Sequence, residues 1–237
     1  MVGMGRFLRP GVGSRPLGAV GTVVAVLAAR NVGEVMLPGA AYVPMNVAVG
    51  SLLLAVARRS GCSWEELGLA RRHARHGLTV GAAVSAGAAV GMLLGAALPV
   101  TRGFFDDARV PAQAAPSERL YQTVIRIPLG TVAFEELAFR GVLLAVLCRR
   151  LSLTAAVAVN SALFGLWHIV PTLGTARANG IEGLGRVGLV AGSVLVTTVG
   201  GILFCALRVR GRHVLAPAVL HLTFNDVGYL LAWWVRS

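Results

Sequence analysis

Seven stretches of this chain are apolar over a length that suits a lipid bilayer: from Leu17 into the thirties, 40–57, 78–98, 120–147, 151–170, 187–207 and 214–235. A span needs about 20 such residues, and hydrocarbon offers no partner to an unpaired backbone N–H or C=O, so each must be a helix. The expected fold is therefore all-α, a polytopic transmembrane helix bundle of about seven spans. With 56% hydrophobic and 14% charged residues among 237, the spans leave no room for a sizeable soluble domain.

The net charge of +12 rests on 22 arginines without a single lysine. Such a balance raises the question of nucleic acid, but no reading module accompanies it and the arginines sit in short loops between apolar stretches. That is the pattern of cytoplasmic loops against anionic headgroups, so no nucleic-acid partner is expected. Alternate loops hold Arg6, Arg9 and Arg15; Arg58, Arg59, Arg71, Arg72 and Arg75; Arg149 and Arg150; and Arg208, Arg210 and Arg212. The opposite loops hold Arg30, Arg102, Arg109, Arg119, Arg177, Arg186 and Arg236, with Asp106, Asp107, Glu118 and Glu182 among them. The asymmetry places the N-terminus in the cytoplasm and the C-terminus outside. Arginine without lysine, beside abundant Ala, Gly and Val, suggests a GC-rich bacterial genome, hence a multi-pass protein of the cell membrane, the bacterial inner membrane.

The first apolar stretch is short and follows three arginines, as a signal peptide does, but six spans come after it and an uncleaved helix is expected. Arg30 and Glu34, one turn apart, are placed to pair at its far end. Three isolated cysteines, Cys62, Cys148 and Cys205, lack any CxxC spacing and read as apolar filler. His73 and His76, in a basic stretch after Leu67-Gly68-Leu69, read as solvated loop residues. Pro99, Pro111 and Pro116 break the chain between two halves. Residues 1–119 form N-terminal transmembrane helices with a basic juxtamembrane loop, and 120–237 form the site-bearing helices of one integrated membrane domain.

Three polar clusters interrupt the second half: Glu135-Glu136-Leu137-Ala138-Phe139-Arg140, Phe164-Gly165-Leu166-Trp167-His168 and His221-Leu222-Thr223-Phe224-Asn225. A charge at mid-membrane costs roughly 2.5–3.5 kcal/mol on insertion scales, so such residues mark function by default. Glu136 and Arg140 are four apart and share a helix face, whereas Glu135 lies about 100° around the axis. One carboxylate is then tied to arginine while its neighbour faces a cavity, as a general base must. His221 and Asn225 share a face, as do Phe164 and His168, the phenyl ring walling the pocket. Two histidines, an asparagine and a carboxylate on three helices can polarise one water by hydrogen bonding or as N/O ligands of a zinc ion. Asn225, His168 or His221 can donate to a developing oxyanion.

Each cluster alone has a plainer account: a structural ion pair, an interfacial histidine beside Trp167, interhelical hydrogen-bond glue. Asn160, Ser161, Thr197 and Thr198 read as packing contacts. There is no HExxH helix, Gly-x-Ser-x-Gly elbow or P-loop. The order EExxxR, FxxxH, HxxxN on successive spans resembles the CPBP family of intramembrane metalloproteases, the CAAX prenyl endopeptidase and bacteriocin-processing (Abi) proteins. Glu135-Glu136-Leu137-Ala138-Phe139-Arg140-Gly141 is similar to that family's first motif, and the likeness runs over about 120–237.

That resemblance implies an intramembrane peptidase in which Glu135 activates water. His168, His221 and Asn225 are its other core residues, and Glu136 and Arg140 support the first motif. It implies a peptide or membrane-protein substrate: a prenylated CAAX protein in eukaryotes, and immunity, bacteriocin maturation or membrane-protein processing in a bacterium. Zinc on Glu135, His168, His221 and Asn225 is a candidate cofactor. A non-proteolytic scaffold or immunity protein of the same fold, and a proton-coupled permease, are the rivals. In straight helices Glu135 lies about 20 Å from Arg149 and His221 about 13 Å from Arg212, so the motifs meet only if helices tilt, break or are offset.

Overall fold

The computed structural model describes residues 16–33 and 38–237, and every regular element among them is helical. Arg6, Arg9, Arg15 and Glu34, and with Glu34 the expected pair with Arg30, lie outside the described residues. Seven helical columns coincide with the seven apolar stretches. They are α1 (Pro16–Gly33), α2 (Tyr42–Arg59), α3 (Ala74–Ala97), α4 (116–148), α5 (Leu153–Trp167) continued after a break by α6 (Ile169–Ala178), α7 (Gly183–Gly211) and α8 (Leu215–Arg236). Four stretches, Gly39–Arg59, Arg71–Ala97, Leu153–Ala178 and Gly183–Gly211, are long and apolar enough to cross a membrane by length and composition. α1 is shorter, and α4 and α8 carry the polar clusters. The result is an all-helical, multi-pass membrane bundle.

The outer faces of α3 and α7 expose Val90, Leu93 and Leu94, and Leu195, Val196 and Val199. A water-soluble bundle would bury such rows; lipid solvates them at no cost. Inward faces are instead small. Gly77, Gly81 and Ser85, spaced by four, form the buried stripe of α3, and a Cβ on Gly81 would stand 2.6 Å from the Ala216 carbonyl oxygen of α8. The α5–α7 crossing is as close: a Cβ on Gly165 would meet Thr198 Oγ1 at 2.1 Å and the Val194 carbonyl oxygen at 2.7 Å. This brings the FxxxH helix against the helix that carries Phe204.

α4 is the unusual column. After a short α-turn it winds as a π-helix over Gln122–Ala133, and again over Glu136–Leu143. Pro128 in the first segment lacks an N–H and so cannot support an α-ladder there. π-Winding is rare and collects at functional sites; here Glu135 lies at the junction of the two segments.

One end of the bundle is locked by the segment between α2 and α3. Arg149, at the end of α4, donates to the Ser60 and Gly61 carbonyls, both at 2.8 Å, and pairs with Glu66 Oε1 at 2.9 Å. Burial works to raise the Glu66 carboxyl, but its bonds from Arg149 and Ser63 outweigh this and hold it below the usual carboxylate range. Arg208 of α7 donates to the Glu65 and Glu66 carbonyls, and Val214 N–H to the Gly68 carbonyl at 2.9 Å. Gly68 is left-handed (φ 67°), and a Cβ there would fall 2.1 Å from Arg208 Nε, so the Leu67-Gly68-Leu69 element requires its glycine. His73 lies 3.4 Å from Glu65, and His76 donates to the Arg210 carbonyl at 3.2 Å. Both serve this surface rather than the polar clusters. Cys62, Cys148 and Cys205 are free thiols and buried, as filler should be.

At the other end, Pro99 and Pro116 each stand in the first turn of a short helical segment. Trp233 donates its indole N–H to the Ala112 carbonyl at 3.1 Å, with Arg119 stacked 4.0 Å from its ring centroid. Such amphipathic rings suit the headgroup level.

Candidate active site

The three clusters meet inside the bundle. Glu135 and Glu136, adjacent in sequence, point different ways. Glu136 faces α8, where His221 Nδ1–H donates to its Oε1 at 2.8 Å. It also faces its own helix, where Arg140 Nη1 stands 3.2 Å from the same oxygen. Glu136 is 1% exposed and Arg140 not at all. A lone buried charge of either sign would be prohibitive, and the pair removes the net charge. Ring faces take up the rest of the arginine: its guanidinium carbon lies 3.9 Å from the Phe164 centroid and 4.8 Å from that of Phe204.

Glu135 turns to α5. The Trp167 indole N–H donates to its Oε1 at 3.0 Å, while Oε2 is buried, has no hydrogen-bond partner among the described residues, and lies 3.7 Å from His221 Nε2. With Nδ1 donating to Glu136, a neutral His221 ring directs a lone pair from Nε2 toward Glu135. In that form two acceptors face one another at a separation too long for direct bonding. His221 is held in that attitude by Phe204, stacked at 5.0 Å and 22°, and by the edge of Phe164 at 6.2 Å.

His168 sits where α5 ends, and its backbone departure starts α6. Its Nδ1–H donates to the Phe164 carbonyl at 2.7 Å, and its ring packs edge-on to Phe164 at 4.6 Å. The same phenyl ring thus packs against both His168 and His221. Asn225 spends one amide hydrogen on the His221 carbonyl, a turn back on α8, at 3.1 Å. The break at Trp167–His168 and the π-winding of α4 are the departures from straight helices that the depths of the motifs required.

The structure thus joins Glu135, Glu136, Arg140 and His221 by direct contact, with His168 and Asn225 flanking. Among the described residues, no group of three His, Cys, Asp or Glu side chains is placed to hold a metal ion. Of the expected set, Glu135 and His221 approach to 3.7 Å, but His168 does not join them as a third strong ligand, and the Asn225 amide is a poor substitute for one. This arrangement does not fit a zinc ion, and no step below is routed through one.

Trp167 is a site residue that sequence reasoning missed, naming it only as the neighbour of an interfacial histidine. Its indole N–H at a span interior was the available signal, since such a donor must find an acceptor. Phe204 was missed too, having no polar atom to announce it. Asn160, expected to be a packing contact, donates to the Phe139 carbonyl at 2.8 Å and so tethers α5 to α4 one turn below the acidic pair.

Residues 118–227 match the family model described as type II CAAX prenyl endopeptidase Rce1-like. The match takes in α4 to α7, most of α8 and all six motif residues. No curated protein and no solved structure matches the chain.

Proposed function

From the match of residues 118–227 to the Rce1-like model of type II CAAX prenyl endopeptidases, we propose that this protein hydrolyses a peptide bond within or at the surface of the membrane, with Glu135 as the general base. The observation that carries the proposal is the approach of Glu135 Oε2 to His221 Nε2, 3.7 Å apart, which sets two acceptors face to face when the ring is neutral. A water about 2.8 Å from each would give one hydrogen to either acceptor and present its oxygen lone pair outward. That is the orientation of a nucleophile.

The chemistry then balances. The water oxygen bonds to the scissile carbonyl carbon while its proton passes to Glu135 Oε2. When the C–N bond breaks, that proton moves to the departing amine, and the products are a new carboxylate and a new N-terminus. Glu136 holds the His221 tautomer and favours the partial positive charge that the ring takes on as it draws on the water's second hydrogen, in the manner of the carboxylate of a hydrolase triad. Arg140 holds Glu136 in place. Trp167 fixes the base, and the second amide hydrogen of Asn225 is the donor best disposed toward an oxyanion near His221. His168, pinned through Nδ1, offers Nε2 to the substrate or to the departing amine.

The substrate class is a membrane-associated polypeptide. A prenylated CAAX peptide is the first probe, as the family's description suggests, and solubilised bacterial membrane proteins are the second. Purified protein in detergent, incubated with either pool and followed by mass spectrometry, should release peptides without any transmembrane gradient and should keep doing so after a zinc chelator is added. A folded protein that releases nothing from both pools refutes the peptidase reading; activity abolished by the chelator and restored by zinc refutes the metal-free mechanism.

A further inference from the structure

The peptidase reading leaves α1 without a task, yet α1 delivers two of the most deeply placed polar side chains of the first half to the back of the site. Asn31 Nδ2–H donates to the Trp167 carbonyl at 2.7 Å. That carbonyl belongs to the last residue of α5, where the chain breaks, so it needs an acceptor's partner from outside its own helix. Arg30, beside it, is buried with its guanidinium carbon 5.9 Å from the Trp167 ring, 5.8 Å from Phe134 and 5.3 Å from Tyr42. Arg30 Nε–H also donates to Asn46 Oδ1, and Asn46 Nδ2–H donates to the Gly130 carbonyl at 2.6 Å. Gly130 lies in the first π-wound segment of α4, five residues before Glu135.

Two routes thus run from α1 to the carboxylate. One passes through Asn31 and the Trp167 backbone and indole to Glu135 Oε1; the other passes through Arg30 and Asn46 to the π-helix that carries Glu135. Resting on the proposed role of Glu135, we infer that Asn31 and Arg30 are positioning residues for the reaction. α1, outside the segment that matches the family, aims the base by locking Trp167. The cost of placing an arginine and two asparagines in this apolar region has a return in the fixed direction of one N–H bond. A merely structural role would need only apolar packing.

The test pairs activity with a signal from Trp167 that does not need activity. With Trp64, Trp233 and Trp234 changed to Phe, Trp167 is the sole indole. In that background Asn31→Leu, and separately Arg30→Lys, should shift the Trp167 emission spectrum. Glu135→Gln should shift it too, since it changes the acceptor of the indole. In the wild-type background Asn31→Leu should lower kcat about ten-fold with KM unchanged, the scale of a small misplacement of a catalytic group. Combined with Trp167→Phe, it should cost no more than Trp167→Phe alone. Arg30→Lys keeps the charge and serves as the milder variant should Asn31→Leu fold poorly. An unchanged Trp167 spectrum in both folded α1 variants, or a double variant whose losses multiply, overturns the inference. Wild-type protein that cleaves nothing while the spectral shifts appear would remove the peptidase reading and leave the coupling of α1 to Glu135 standing.

Discussion

Replacing Glu136 with glutamine isolates the electrostatic half of the site. The side chain keeps its shape, and because His221 Nδ1 at 2.8 Å and Arg140 Nη1 at 3.2 Å face the same oxygen, Glu136 Oε1, the amide oxygen can take that place and leave the ring tautomer unchanged. What is lost is the negative charge beside the ring. A unit charge about 4 Å away at an effective dielectric of about 20 is worth about 4 kcal/mol, or about a thousand-fold in rate. Arg140, 3.2 Å from the same oxygen, already cancels part of that field, which lowers the expectation to about a hundred-fold. Peptide release by Glu136→Gln should therefore fall about 10²-fold in kcat, with KM little changed and thermal unfolding in detergent close to wild type. More than a tenth of wild-type activity in a folded Glu136→Gln protein would refute the triad-like role. A variant that unfolds would show instead that Glu136 serves the fold through Arg140.

Other consequences follow from the contacts. Trp167→Phe keeps the ring packing on Phe134 and Phe139 (5.9 and 5.6 Å) but removes the donor to Glu135; kcat should drop about ten-fold while stability changes by only about 1 kcal/mol, and an unaltered kcat would show that the indole hydrogen is idle. Gly165→Ala forces a Cβ to within 2.7 Å of the Val194 carbonyl oxygen, a backbone clash that should cost about 1–3 kcal/mol in detergent melts; Thr198→Ala in addition should not rescue it fully, and a neutral melt would contradict the close α5–α7 crossing. Glu66, held below the usual carboxylate range, contributes its stabilisation fully above the unfolded-state pKa of about 4.3 and loses it as pH falls through the lower folded value. Hydrogen-exchange protection of the Trp64–Leu69 segment should accordingly hold from neutral pH to about 4.5 and weaken below it, Glu66→Gln should abolish that dependence, and a midpoint above 5 would contradict the sign.

The helical columns were legible because lipid imposes a length and an apolarity on each, and 78–98 or 187–207 satisfied both over nearly every residue. The site was legible as residue types because Glu135, Glu136, His168 and His221 are too costly in an apolar span to be incidental. What sequence spacing did not reveal was how they meet. The i, i+4 rule found Glu136 with Arg140, but π-winding on both sides of Glu135 depends on Pro128 and on tertiary contacts such as Asn46 with Gly130, which no local pattern encodes. Asn225 was expected to face the water with His221; it shares that face but commits part of its amide to its own helix. Asn31 and Arg30 lay in the weakest of the apolar stretches, and only packing against Trp167 gives them meaning.

The central claim is that Glu135 activates the water. It is tested most directly by single-turnover peptide release from reconstituted protein, wild type beside Glu135→Gln, with folding of both verified. The account predicts cleavage by the wild type and a rate at least about 10²-fold lower, on the scale of general base catalysis, for the variant. Matching peptide profiles and rates from the two proteins would contradict it.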